Sequence, residues 1–440
     1  MFGWVDFSED ERMRAAEVLK LAKSPEAVDE LGLGVLRDGL ANRLFPGTST
    51  LHTHTKYYFL VAYLMMDLEH RYAGHPIEEI RKAYADSEKD MTRKLIAERE
   101  SKGLPVLGIT GSNFMDTDDW VKQTPAMMNW AAIQAYGIMT NPDMRRDGYF
   151  KLVSGLEREC APHGSDTDEC SAPTSSGLWN VPLKSYEEYE RCSGEGRISL
   201  ELTDEEANQL KDSICFRWPK SLYAALLSSP DDLLRIDAQT DGGNSGKSFV
   251  RLANLLEEDD KLLPSLGDRE CVEEAANLSA LVALLHIRFN YLLAQAAGQD
   301  TKKADERWAE ATEKSGGLYW ERAKRCKPEM FFELPGSGYS VVDSSAPRNR
   351  QMKKFLNKAK KHIKNEELHE LDDLIKQREL QVKGHARSKI ANPAAYTGLK
   401  NGAQNWWYGG LEFTYRLRDA LTFAKEIAAK DLSQLQEGER

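Results

Sequence analysis

The side chains best suited to chemistry fall in separate stretches of the chain. His52 and His54 alternate within PGTSTLHTHTKYYFLVAYL, residues 46–64, so in an extended segment both imidazoles would face one way, as two zinc ligands might. A reaction centre there needs an acid, a metal or a nucleophile from elsewhere in the chain. A helix break at Pro46-Gly47, a Thr-rich turn and a cap from Thr53 or Thr55 need nothing further. Asp116, Asp118 and Asp119 offer hard oxygens for a divalent ion, and on them and the two histidines rests the alternative of a metal-dependent nuclease or other hydrolase. Cys160, His163, Cys170 and Cys192 contain enough soft ligands for tetrahedral zinc, but the gaps are loose and no Cys-x-x-Cys pair is present. Both a zinc site and unliganded cysteines stay open.

GGNSGKS, residues 242–248, resembles a phosphate loop until its first position is checked. Wrapping phosphate in backbone amides calls for a glycine five residues before Gly246, and Asp241 stands there. A carboxylate beside bound phosphate is unfavourable, so the stretch reads as a turn before the next helix. His286, Arg288, Asn290 and Tyr291 interrupt the apolar LVALLHIRFNYLLA, where polar groups require partners from an internal network or a cleft.

A basic run carries the stronger binding argument. Arg348, Arg350, Lys353, Lys354, Lys358, Lys360, Lys361 and Lys364 fall within seventeen positions that contain no acid. As a helix, Arg350, Lys354, Lys358 and Lys361 recur at spacings of four and three and form one stripe, with Lys353, Lys360 and Lys364 beside it. His385, Arg387 and Lys389 extend the charge, followed by Trp406, Trp407, Tyr408, Tyr415, Arg416 and Arg418. Cations of this kind contact phosphates, and aromatic rings can stack on exposed bases. The candidate nucleic-acid contacts are therefore Arg350, Lys354, Lys358, Lys361, Arg387, Lys389, Trp406, Trp407 and Arg416. A solvated basic helix beside an aromatic core, or an acidic protein partner, would use the same residues.

The elements that must position these groups are mostly helices. The chain has 440 residues, 41% hydrophobic and 29% charged, enough for two or three cores. Its net charge is −11, yet residues 348–425 hold 17 Lys and Arg against 8 Asp and Glu, or +9, which leaves −20 elsewhere. Such a balance disfavours indiscriminate polyanion binding and permits one local basic face. No segment offers the roughly 20 apolar residues of a membrane span, and acids and arginines occupy the opening MFGWVDFSEDERMRAAEVLK, so no membrane and a cytoplasmic location are expected. Six irregularly spaced cysteines suggest no disulfide framework.

Ser8 with Glu11 predicts a capped helix to about Lys23, and Ser24-Pro25-Glu26 restarts another. Leu33, Leu36, Leu40 and Leu44 predict the next helix, and Thr55 to Arg71 a buried one. Helices are expected from Pro76 to Tyr84, from Ser87 to Lys102 and after Thr124-Pro125, with a short strand from Leu104 to Ile109. That order allows a small winged-helix-like unit. Residues 160–196 read as a long polar loop. Further helices are expected after Thr203, over Phe249 to Leu263, Cys271 to Ala297 and Thr301 to Arg325, in the basic run and at the end of the chain. The fold class is mainly α and multidomain: 1–155 N-terminal, 156–200 a polar insertion, 201–335 central and 336–440 basic and aromatic.

Several residues also carry a family resemblance. Gly3-Trp4-Val5-Asp6-Phe7-Ser8, Leu-Gly-x-x-x-x-Arg-Asp from Leu31 to Asp38, Leu44-Phe45-Pro46-Gly47-Thr48-Ser49-Thr50, Thr53 and Tyr57-Tyr58-Phe59 resemble an uncharacterised family of bacterial proteins of about 400 residues. Asn129-Trp130, Asn290-Tyr291, Arg387-x-Lys389 and Tyr415-Arg416 continue the resemblance more weakly. It implies an accessory component of antiviral defence loci that works beside a helicase or nuclease, with no catalytic residue, cofactor or metal carried over. The expected function is a noncatalytic adaptor that binds DNA or RNA and a protein partner; a purely structural adaptor is a further alternative.

Overall fold

The computed structural model describes residues 29–115, 120–156, 176–241, 246–313, 318–332, 341–393, 407 and 410–438. The chain is mainly helical and, among the described residues, contains no strand beyond two isolated bridges. It divides into two compact units. One comprises Met1–Phe45, Lys220–Leu222 and Leu234–Arg418; the other comprises Pro46–Pro219, Tyr223–Leu233 and Asp419–Arg440. The expected helices at Ser8 to Lys23 and at Ser24-Pro25-Glu26 lie outside the described residues.

In the unit that begins at Pro46, the core element is α2 (Tyr57–Tyr72); α1 (Gly34–Leu44) precedes it in the other unit. Every residue of α2 from Tyr57 to Met65 is buried, so the helix is enclosed rather than amphipathic. Around it pack α3 (Ile77–Ser101), α4 (Pro125–Ala135) and α5 (Arg146–Gly155). Two helices were expected where α3 runs unbroken, because nothing between Tyr84 and Ser87 breaks a helix and Ile80, Tyr84, Glu88, Met91 and Leu95 keep one buried stripe. Pro125 occupies the first turn of α4 as the sequence predicted. Two further helices follow, α6 (Leu183–Gly194) and α7 (Asp204–Arg217). A full capping box, Thr203 with Glu206, starts α7.

Two expectations in this unit need correction. Leu104 to Ile109 is not a strand: it is coil and turn, with Gly108 at φ +87° and Leu107 84% exposed. A strand needs a neighbour to satisfy its backbone, and none is offered here, so the described residues hold no wing either. The polar stretch 160–196 is not all loop, since α6 forms within it. Tyr186 and Tyr189, three apart, bury one face of that helix and both donate to Asp67.

After α7 come α8 (Leu222–Ser228), nearly all of it in the unit that begins at Pro46, and α9 (Pro230–Gln239), which gives residues to both units; the other unit is organised by α11 (Arg269–Ala296), preceded by α10 (Phe249–Glu258). Only α11, among the described residues, has the length and hydropathy of a membrane span, and 89% of its most apolar window is buried in the protein. It packs against α10, α12 (Lys302–Thr312), α13 (Trp320–Arg325) and α15 (Leu368–Lys383). The charged stretch expected as one helix after Thr301 is thus two, α12 and α13. The basic run is α14 (Pro347–Lys364), which pairs with α15. The chain closes with α16 (Leu417–Ile427) and α17 (Ala429–Gly438).

Candidate nucleic-acid interface

Helix α14 begins at Pro347, whose missing N–H costs nothing in a first turn. Met352, Phe355, Leu356, Ala359 and Ile363 fall on one side at helical spacing and are buried. That choice of inner face fixes the outer one. Arg350, Lys354, Lys358, Lys361 and Lys364 are exposed, while Lys353 and Lys360 lie half-buried at its flank. No ion pair engages Lys354, Lys358, Lys361 or Lys364 among the described residues, and the helix itself contains no acid. Arg350 is anchored at the helix start, donating to the Ser345 carbonyl.

Behind this face, α15 supplies a scaffold. Buried Arg378 donates to the carbonyls of Leu31 and Gly32 at 2.8 and 3.3 Å and lies over the Phe355 ring. Buried Glu379 accepts from the Ser388 hydroxyl and from the amides of Lys389 and Ile390, so one carboxylate closes the turn after α15. This turn splits the predicted basic extension. Arg387 is exposed and donates to the Lys383 carbonyl at 3.2 Å. Lys389 is buried, and its ammonium pairs with Glu30, which also pairs with Lys383 at 3.2 Å. Burial holds the Lys389 pKa below the usual lysine value, partly offset by Glu30.

Aromatic residues proposed from the sequence take different positions. Trp407 is half-buried beneath Arg307 at 4.1 Å and Lys303 at 6.0 Å, with its indole N–H enclosed and without an acceptor. Tyr415 is buried and donates to the Ala275 carbonyl at 2.8 Å. Arg416 is half-buried and donates to the Asn42 side chain at 2.8 Å. Trp406 and Tyr408 lie outside the described residues.

The two histidines point into separate networks. His52 is buried; its Nε2 lies 3.0 Å from the Met128 carbonyl and its Nδ1 3.0 Å from the Tyr58 hydroxyl. A carbonyl can only accept, so Nε2 donates to Met128, and Nδ1 shares a hydrogen bond with the Tyr58 hydroxyl. His54 donates through Nδ1 to Glu426 at 2.7 Å, and the second Glu426 oxygen accepts from the Thr55 amide and hydroxyl, each at 2.7 Å. Glu426 therefore fixes the turn that leads into α2 from a distant part of the chain. Nearby, Lys56 places its ammonium 2.6 Å from Glu206, whose other oxygen accepts from Tyr63 at 2.7 Å. No group of three His, Cys, Asp or Glu suited to a metal occurs among the described residues. Asp116, Asp118, Asp119, Cys160, His163 and Cys170 lie outside them.

Other motifs resolve into structural roles. Lys247 pairs with Asp237 at 3.0 Å and Ser248 caps α10, while residues 242–245 are outside the described set. On α11, Arg288 meets both oxygens of Asp372, at 2.8 and 2.5 Å, between the rings of Tyr291 and Trp308. His286 lies against the Leu411 carbonyl, and burial pushes its pKa below the ordinary histidine value. Sequence reasoning missed Glu426, Asp372 and the second use of Glu206. The capping box marked Glu206, but nothing local signals a lysine that reaches it from Lys56.

No curated protein and no solved structure matches the chain. Residues 1–150 match the model of a family of unknown function, DUF6361, so this N-terminal third is similar to an uncharacterised domain family.

Proposed function

We propose that the chain is a noncatalytic accessory subunit that binds nucleic acid through α14 and works with a protein partner, a helicase or nuclease, in a bacterial antiviral defence system. The observation that carries the nucleic-acid part is the row of exposed cations on α14 with no acid in the helix and, among the described residues, no ion pair on Lys354, Lys358, Lys361 or Lys364. This arrangement works against the helix itself. Arg348 and Arg350 sit at its N-terminal end, where the macrodipole favours anions. Arg350 with Lys354, Lys354 with Lys358, Lys358 with Lys361 and Lys361 with Lys364 are like-charge neighbours, each costing about 0.2–0.5 kcal/mol. A polyanion laid on this face would remove that cost and release its own counterions. The defence setting and the enzyme partner are supported by the sequence resemblance alone.

The test uses the full chain with a mixture of short DNA and RNA oligomers at low salt, by fluorescence anisotropy. Binding that disappears in Lys354→Glu/Lys358→Glu/Lys361→Glu supports the assignment. If that variant binds as the parent does, the contacts lie away from α14 and the assignment fails; if the parent binds nothing, α14 is a solvated helix and the chain serves as a purely structural adaptor.

A further inference from the structure

A helix that presents charge along a straight line matches a polyanion that is itself straight. From Arg350 to Lys364 the exposed cations of α14 cover about 21 Å of helix axis at 1.5 Å per residue. Over that length a duplex presents roughly twelve phosphate charges and a single strand about six. The duplex also holds its charges in place without being ordered first, because it stays stiff over about 150 base pairs. A single strand is usually captured in a groove by rings on which successive bases stack. Such rings are missing from α14: Phe355 is turned into the core, and His362 is paired with Glu367 at 2.7 Å.

The aromatic residues farther along do not replace them among the described residues. The Trp407 ring already carries Arg307 and Lys303, and Tyr415 is buried with its hydroxyl committed to Ala275. The side-chain chemistry agrees. Four of the six exposed cations of α14 are lysines, which act on phosphate as point charges, whereas base reading in a groove favours the bidentate fork of arginine. Of the two arginines, both in the first turn of the helix, Arg350 spends part of its guanidinium on Ser345. Gln351 and Asn357, the exposed amides nearby, can donate to phosphate oxygens as readily as to base edges.

We infer that α14 holds the backbone of a double-stranded nucleic acid, and that neither a ring of α14 nor Trp407 stacks on its bases. The inference rests on the nucleic-acid binding proposed above. It is tested by anisotropy titrations of the full chain against a mixed-sequence 20-base-pair DNA duplex, the matching RNA duplex and each isolated strand. At least one duplex is expected to bind about tenfold or more tightly than its own strands, and Trp407→Ala and Trp407→Phe should leave that affinity within about twofold. Equal or tighter binding of the single strands overturns the inference while nucleic-acid binding stands, as does a tenfold loss in both folded Trp407 variants. Failure of every oligomer to bind overturns the proposed function, and this inference with it.

Discussion

Removing charge from α14 tests its role most directly, because the salt dependence of binding counts phosphate contacts. For a duplex, the logarithm of the binding constant falls with the logarithm of salt concentration at a slope of about −0.9 per contact. If Arg350, Lys354, Lys358, Lys361 and Lys364 each meet one phosphate, the slope is about −4.5, and affinity falls roughly 500-fold between 50 and 200 mM salt. In Lys354→Ala/Lys358→Ala/Lys361→Ala the slope should shrink to about −1.8, with a loss of only about 12-fold over the same range. The substitutions face water on a helix whose inner face they leave alone, and alanine is the better helix former, so the melting temperature should hold or rise. Anisotropy at several salt concentrations gives both slopes. An unchanged slope in a folded triple variant would refute the reasoning, since the contacts would lie elsewhere.

Other perturbations probe the scaffold. Lys56→Ala should destabilise the unit that contains it by about 3–5 kcal/mol in urea denaturation, because Glu206 is left charged and enclosed; Lys56→Met/Glu206→Gln should recover much of that loss. Burial pushes the Glu88 carboxyl up to about 7, against hydrogen bonds from Ala126 and Tyr84 that lower it. A raised folded-state pKa means that the contribution of Glu88 is complete below about pH 4.5 and is lost as pH rises through 7, by about 3 kcal/mol. Glu88→Gln should therefore melt with a weaker pH dependence between pH 5 and 8, and an identical dependence would count against the burial argument. Gly108→Ala places a Cβ about 2.6 Å from His54 Nε2 at φ +87°, so a loss above about 1 kcal/mol in urea denaturation is expected.

Where neighbours in sequence determine structure, the chain could be read well. The leucine spacing of α1, the enclosed run of α2, Thr124-Pro125, the Thr203 and Glu206 box and the two faces of α14 all appear where local pattern placed them. The strand at Leu104 to Ile109 failed because a strand is a property of a pair, and branched residues reveal nothing about an absent partner. Helix α6 was missed because its composition is polar and only Tyr186 and Tyr189 reveal the period. In the candidate interface, lysines on α14 were legible as a stripe, but Lys389 was not legible as buried. Its burial depends on Glu30, 359 residues away, and no periodicity encodes such a pairing. Trp407 likewise looked available until Arg307 was found across its face.

The tie between Glu426 and the turn before α2 has a consequence for the order in which the protein can be made. His54 and Thr55 wait for Glu426, which lies 372 and 371 residues further along the chain. At ribosomal speeds of 5–20 residues per second, that interval is roughly 20–75 s, far longer than a helix needs to form. During it the turn before α2 lacks this carboxylate. The unit that begins at Pro46 thus starts to emerge early, yet gains this contact only when its last segment, Asp419–Arg440, arrives.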